Sequence, residues 1–241
     1  MAKGFDCATP LTASTAKAFF QDGYVFVARY LVPSGWKMLS RSEAELISKA
    51  GLQIVSVFET TADRALGGRT AGLSDGKTAL QTARSIGQPE GSTIYFAVDF
   101  DATAAQMSTV IQYIRAASEA TPGYSTGVYG SYAVVEAVTK SGACSRFWQT
   151  YAWSQGKQSS AANIYQYQND ITLHGIGVDL NRSFGNEGWW NTVDYMMSPE
   201  DANKLIAFLG AGYMATGFAD AREEFHRLAN ELRKASNQPE E

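Results

Sequence analysis

Cysteine is scarce. Cys7 and Cys144 are the whole complement, with no CxxC spacing and no histidine close in sequence, so a structural zinc site is not supported. A disulfide between them stays open, although small apolar packing is the expected role of each. Histidine is equally rare: His174 and His226 lack the neighbours of a catalytic base or metal ligand, and no metal or cofactor is expected. The formal net charge is −4 and no Lys/Arg run occurs, which argues against nucleic acid as a partner. No apolar stretch is long enough to span a membrane, and Met-Ala-Lys-Gly-Phe-Asp leads straight into fold-forming sequence without a basic–apolar leader. The chain is therefore expected to be made in the cytoplasm without encoding its own Sec export. Also missing are a G-x-G-x-x-G after the first strand and any G-x-x-x-x-G-K-[ST], the phosphate-cradling loops of nucleotide-binding folds.

What is present is a long alternation of strand and helix signals. Gly4–Cys7, Tyr24–Leu31, Leu52–Phe58, Thr93–Asp101 and Tyr124–Tyr129 read as strands. Further strands are expected within Arg146–Trp153, Asn163–Gln168 and Gly177–Leu180. Helices are expected over Ala13–Gln21, from Ser40 or Ser42 to Ala50, near Ser74–Ile86, around Ala104–Ala120 and over Ser131–Ser141. The glycines of Leu66–Gly72 read as a flexible loop. Alternating β and α elements imply parallel strands. Eight such units match an α/β fold of the (β/α)8, TIM-like barrel type with irregular later units, whose active site lies where the strands end. A doubly wound open sheet is the runner-up.

The fourth strand carries the strongest signal. Its apolar run, Ile94 to Val98, is too short for a buried helix and runs into Asp99 and Asp101. Residues two apart in a strand face the same side, so these carboxylates are expected to form a like-charge pair that shares a proton. The plainer reading of Asp101 is a helix N-cap.

Other strand ends add to the inventory: Asp6 on the first, Glu59 on the third and Asp179 near the end of the eighth. Glu59 could instead be a loop acid, and Asp179 could merely pair with Arg182. Tyr129, Trp148, Gln149, Trp153, Gln166 and Gln168 supply aromatic and amide side chains from strands five to seven. Of the Gln166/Gln168 and Tyr165/Tyr167 pairs, one faces the interior and the other the helices. Carboxylates rimmed by aromatics and amides suit a polyhydroxylated ligand, since ring faces stack on sugar C–H faces while Gln and Asp bond hydroxyls. Paired carboxylates are also the machinery of glycoside hydrolysis.

The ordered motifs G-F-D, V-F-E, I-Y-F-A-V-D-F-D, G-V-Y-G, F-W-Q-T-Y, N-I-Y-Q-Y-Q and V-D-L-N together resemble the glycoside-hydrolase-like domain of the DUF1906 (Rv2525c-like) family over about residues 3–192. The resemblance implies a TIM-barrel relative of the family 25 lysozymes, which cleave the β-1,4 bond between N-acetylmuramic acid and N-acetylglucosamine. By motif matching it puts catalytic roles on Asp6, Asp99, Asp101 and Asp179. The family 25 position for the general acid is a Glu, and here it is Asp101, one methylene shorter. Glu59, characteristic of the DUF1906 pattern, is the other candidate acid. The implied function is a lysozyme-like, bacteriolytic cell-wall glycosidase acting on peptidoglycan or a related polysaccharide. The alternative is a non-catalytic glycan-binding barrel.

Residues 193–241 look like a separate helical module after a barrel over 1–192. Ser198-Pro199-Glu200-Asp201 reads as a helix start, and Ala202–Met214 and Ala219–Ala235 show helical apolar spacing. Such a hairpin could pack on the barrel, form a dimer or bind cell wall. A hydrolase-like barrel with a small C-terminal module resembles phage endolysins, which implies action on the wall after holin-type release.

Overall fold

The computed structural model describes residues 1–192, 198–236 and 238–240. Contacts divide the chain into two compact units, Met1–Thr192 and Val193–Glu241.

The first unit is a closed eight-stranded barrel with strands in sequence order. The strands are β1 (Ala2–Asp6), β2 (Phe26–Tyr30), β3 (Gln53–Phe58), β4 (Thr93–Ala97), β5 (Ser125–Gly130), β6 (Arg146–Thr150), β7 (Ile164–Leu173) and β8 (Ile176–Ser183). Between β1 and β6 run the helices α1 (Ala13–Gln21), α2 (Arg41–Lys49), α3 (Gly68–Ile86), α4 (Met107–Ala120) and α5 (Tyr132–Ser141). Neighbours from β1 to β7 pair in parallel, but β8 is antiparallel to both β7 and β1. The departure from eight parallel units is local in origin. His174 and Gly175 both take positive φ, 48° and 79°, the two-residue turn that matches strand twist and folds β7–β8 into a hairpin.

Strand alternation sorts side chains to two faces. Phe26, Ala28, Val55, Val57, Tyr95, Ala97, Tyr129, Trp148 and Ile164 form one buried cluster inside the barrel. The intervening positions, among them Phe5, Val27, Ile54, Phe96 and Val128, join the core beneath the helices. Large rings fit the interior because glycine faces them: a Cβ on Gly4 would lie 2.3 Å from the Phe26 ring, and one on Gly127 2.4 Å from Tyr95.

The glycines expected to loosen the loop before α3 do something else. The helix begins at Gly68, and a Cβ on Gly72 would lie 2.2 Å from the Tyr113 carbonyl oxygen of α4. A Cβ on Gly76 would come within 2.8 Å of the Ala117 carbonyl oxygen. One glycine per helical turn lets α3 and α4 touch backbone to backbone, so these residues serve packing.

The strand-start end of the barrel is closed. Ile54 and Trp190 exchange backbone hydrogen bonds of 2.7 and 2.9 Å, Trp189 packs on Phe26, and the Tyr95 hydroxyl donates to the Glu187 carbonyl at 2.9 Å.

The second unit is a hairpin of α6 (Pro199–Ala215) and α7 (Ala219–Ala235). Ser198 caps α6 by accepting the Asp201 amide at 3.1 Å, with Pro199 in the first turn. Phe225 fills the space left by Gly212, where a Cβ would approach it to 2.9 Å. Among the described residues no helix is long and apolar enough to cross a membrane.

Candidate functional site

The sequence pattern directs acids to one end of the barrel. Asp6 continues the inward parity of Gly4, Glu59 that of Val55 and Val57, and Asp99 that of Tyr95 and Ala97. All three stand at or just beyond the ends of β1, β3 and β4. Asp179 reaches the same level by a different route. It lies early in the reversed β8 and pairs directly with Asp6 in register.

These four carboxylates line one cavity of about 150 Å³, together with Tyr129, Trp148 and Gln166. Tyr30, Val57 and Asn169 complete the wall, and sequence reasoning did not single them out. The signal for Tyr30 was its place at the end of β2 with inward parity. Asn169 could not be found that way. Register shifts on both sides of Gln168 and a positive φ at Asp170 turn the strand and re-aim it. The Asn169 Oδ1 is buried without a hydrogen-bond partner among the described residues.

The other expected site residues lie elsewhere. Asp101 is exposed and outside the cavity lining. β4 ends at Ala97, and the Val98 amide still bonds the Tyr129 carbonyl of β5 at 2.8 Å. The Asp99 amide then turns to the Ala62 carbonyl, so the alternation reaches Asp99 but not Asp101. Nor does Asp101 cap α4, which begins at Met107 after Gln106. Gln149 neighbours Trp148 on a strand, so the two cannot both face inward. Its amide is buried and donates to the Lys157 carbonyl at 2.8 Å while accepting the Ser159 amide at 2.7 Å, a structural tie for the following loop. Gln168 is exposed on the bulge, and Trp153 stands on the loop after β6.

A hydrogen-bond network positions the first pair of acids. Gln166 Nε2 donates to Asp6 Oδ2 at 2.9 Å and to Asp179 Oδ2 at 3.3 Å, while its Oε1 accepts the Tyr129 hydroxyl at 2.9 Å. Asn181 Nδ2 donates to the same Asp6 oxygen at 2.6 Å, and Asn181 Oδ1 accepts the Trp148 indole N–H at 2.8 Å. Asp179 Oδ1 takes the Asp170 amide at 2.8 Å. Asp179 therefore has partners other than Arg182, whose guanidinium lies over the Tyr167 ring. Behind β1, buried Arg29 forms a two-pronged ion pair with Glu43 and donates to the Cys7 and Ala8 carbonyls. That clamp fixes the chain leaving Asp6.

Burial dominates the electrostatics. Desolvation, reinforced by Asp179, raises the Asp6 carboxyl from 3.8 to about 7 despite the Asn181 and Gln166 amides. Asp99 rises to about 6, again through desolvation and then through Glu59, with Lys37 opposing. Asp179 is also raised, chiefly by burial. Glu59 is ion-paired with Lys37 at 3.1 Å, and that ammonium also sits 4.1 Å over the Tyr30 ring. The cavity thus gathers several carboxyl groups, of which burial raises Asp6, Asp99 and Asp179, an arrangement suited to proton transfer. Among the described residues no three His, Cys, Asp or Glu side chains converge to hold a metal ion. Cys7 and Cys144 are unbridged thiols, both pushed up to about 12 by burial.

Residues 17–183 match the Rv2525c-like, glycoside hydrolase-like domain family. The chain belongs to that family. The Mycobacterium tuberculosis protein Rv2525c is 30% identical over 175 residues, 66% of this chain and 72% of its own length. Its crystal structure, described as that of a Tat-secreted protein in complex with L-tartrate, superposes with a TM-score of 0.71 at 26% identity, covering 78% of this chain and 98% of that one. Two more distant structures share the fold. The catalytic domain of endolysin ply40 from Listeria monocytogenes bacteriophage P40 gives a TM-score of 0.54 at 13% identity, over 78% of this chain and 95% of that one. The glycosyl hydrolase 25 protein GHIP of Streptococcus pneumoniae gives 0.53 at 11%, over 78% and 89%.

Proposed function

We propose that this chain is a lysozyme-like glycosidase that cleaves the glycan strands of peptidoglycan. The observation that carries the reading is the one cavity that Asp6, Glu59, Asp99 and Asp179 line together, where burial raises the Asp99 carboxyl to about 6. Asp99 donates a proton to the leaving glycosidic oxygen, and a neighbouring carboxylate of the cavity stabilises the positive charge growing on the sugar-ring carbon. Water then adds to that carbon and gives its proton to a carboxylate of the cavity. Lys37 beside Glu59 tunes the acid, since removing that cation lets the Asp99 carboxyl rise further. The family supports the substrate: Rv2525c is named as a candidate peptidoglycan hydrolase, and the family 25 bond between N-acetylmuramic acid and N-acetylglucosamine is the one assigned here. The site of action is the cell wall, reached from the cytoplasm after holin-type release, and the C-terminal hairpin is a candidate wall-binding or self-association module.

The test is digestion of purified Gram-positive walls, scored by new reducing ends and by mass spectrometry of the released muropeptides. Unchanged activity in Asp99→Asn removes the mechanism. A second reading, a glycan-binding barrel without catalysis, draws on Asp101. The position matching the family 25 acid stands exposed outside the cavity. Wall binding without released fragments would establish that reading.

A further inference from the structure

Trp148 and Trp190 are buried, as large aromatics usually are, but Trp36 is 71% exposed and Trp153 41% exposed. Both belong to loops at the cavity end of the barrel: Trp36 follows β2, and Trp153 follows β6. In a closed ring of eight strands taken in order, β2 and β6 are four steps apart in either direction, so they face each other across the mouth. Eight strands about 4.8 Å apart and tilted about 36° close a cylinder roughly 15 Å wide, more than one sugar ring spans.

Each loop is anchored beside the cavity. The residue after Trp36 is Lys37, which reaches the cavity acid Glu59 and lies over Tyr30. A bridge between Met38 and Tyr30 and the Leu39 amide on the Tyr30 carbonyl at 2.9 Å secure the same loop to the end of β2. Across the mouth, Trp153 takes a φ of 54°, a left-handed conformation that is uncommon for a bulky side chain. It is held there by buried Ser154, whose hydroxyl donates to the Thr150 carbonyl at 2.6 Å and accepts the Tyr132 amide at 2.9 Å. Neither indole lines the cavity of carboxylates and amides itself, but the strands that their two loops follow stand on opposite sides of it. Ring faces flanking polar groups match a chain of sugars, which offers C–H faces and hydroxyls in alternation.

We propose that Trp36 and Trp153 are stacking platforms at opposite ends of a glycan groove that crosses the mouth, so that an internal stretch of a polysaccharide, rather than a chain end, lies over the carboxylates. The inference rests on the glycan reading of the cavity. It adds two binding subsites and a mode of engagement.

The experiment measures binding of β-1,4-linked N-acetylglucosamine oligomers of two to six units by calorimetry and tryptophan fluorescence. Trp36→Ala, Trp153→Ala and Trp36→Phe are each placed in an Asp99→Asn background to prevent cleavage, with melting curves recorded for every variant. Each alanine substitution is expected to weaken hexamer binding about tenfold, the scale of one lost aromatic contact, and to leave dimer binding unchanged. Trp36→Phe should recover most of the loss. Parent-like length dependence in both alanine variants overturns the groove, as does equal weakening for dimer and hexamer. Wall digestion by the wild-type chain separates the two readings. Length-dependent binding that needs the tryptophans, without released fragments, keeps the groove and retires hydrolysis. Cleavage with parent-like hexamer binding in both alanine variants keeps hydrolysis and retires the groove, and no oligomer binding by the parent retires the groove outright.

Discussion

The two ends of this barrel are built on opposite terms. At the closed end, aromatic rings are buried and their polar atoms are paired: Tyr95 bonds the Glu187 carbonyl, and Trp190 Nε1 donates to Ser56 Oγ at 2.9 Å. At the open end four carboxylates crowd one small cavity, with Asp6, Asp99 and Asp179 all raised by burial, and the Asn169 amide oxygen is buried without a partner among the described residues. The closed end holds the fold together, while the open end stores unfavourable electrostatics that a ligand can relieve. Inward-facing strand positions supply the acids of the open end and, through Phe26 and Tyr95, part of the closed one, which is how a barrel separates stability from chemistry along its axis.

That contrast can be broken at its stable end first. Tyr95→Ala removes a fully buried ring stacked edge-on against Trp148 and should cost about 3–5 kcal/mol, measured by denaturant unfolding. Glu43→Ala should cost a similar 3–5 kcal/mol, because it strands the Arg29 guanidinium in the core beside the chain leaving Asp6. At the open end the sign should reverse. Asp99→Asn is expected to lower wall cleavage by at least about 100-fold while raising stability by about 1 kcal/mol above pH 6, after allowing for solvent screening. The sign follows from the raised carboxyl: the folded state binds the extra proton, so Asp99 makes the protein progressively less stable as pH climbs from about 4 through about 6. Melting curves of variant and parent should therefore coincide near pH 4 and separate above it.

The pH profile sharpens the comparison further. Cleavage should fall as pH rises through about 6, where Asp99 loses its proton. Lys37→Ala should move that limb upward and Glu59→Gln downward, since the cation lowers the carboxyl and the anion raises it. A limb that stays in place in both variants would remove Asp99 as the titrating acid. The smallest effect is expected for Asp101→Asn, within about twofold of the parent rate, because an exposed charge is well screened.

Much of this was legible in the chain. Short apolar runs, glycine stops and serine caps mark most of the strands and helices, and the barrel follows from their alternation. Asp6, Glu59 and Asp99 could be placed because each extends the two-residue parity of an apolar strand. The same parity shows that Trp148 and Gln149 cannot share one face, so Gln149 could have been set aside from sequence. Other features are not local. The direction of β8 depends on pairing with β1 and β7, and Asp179 reaches the mouth only because that strand runs backwards. Asn169 enters the wall through a bulge, and Asp101 leaves it because regular strand structure stops at Ala97.

Periodicity by itself determined an alternation of strands and helices with acids at the strand ends, which favoured a barrel of parallel strands over an open sheet, because burial in a strand obeys a fixed alternation that any reader of the chain can apply. Only the tertiary structure decided which acids share the cavity and which of them burial raises. Those properties depend on distances between residues far apart in sequence, such as Asp6 and Asp179, and on how completely the folded chain removes them from water.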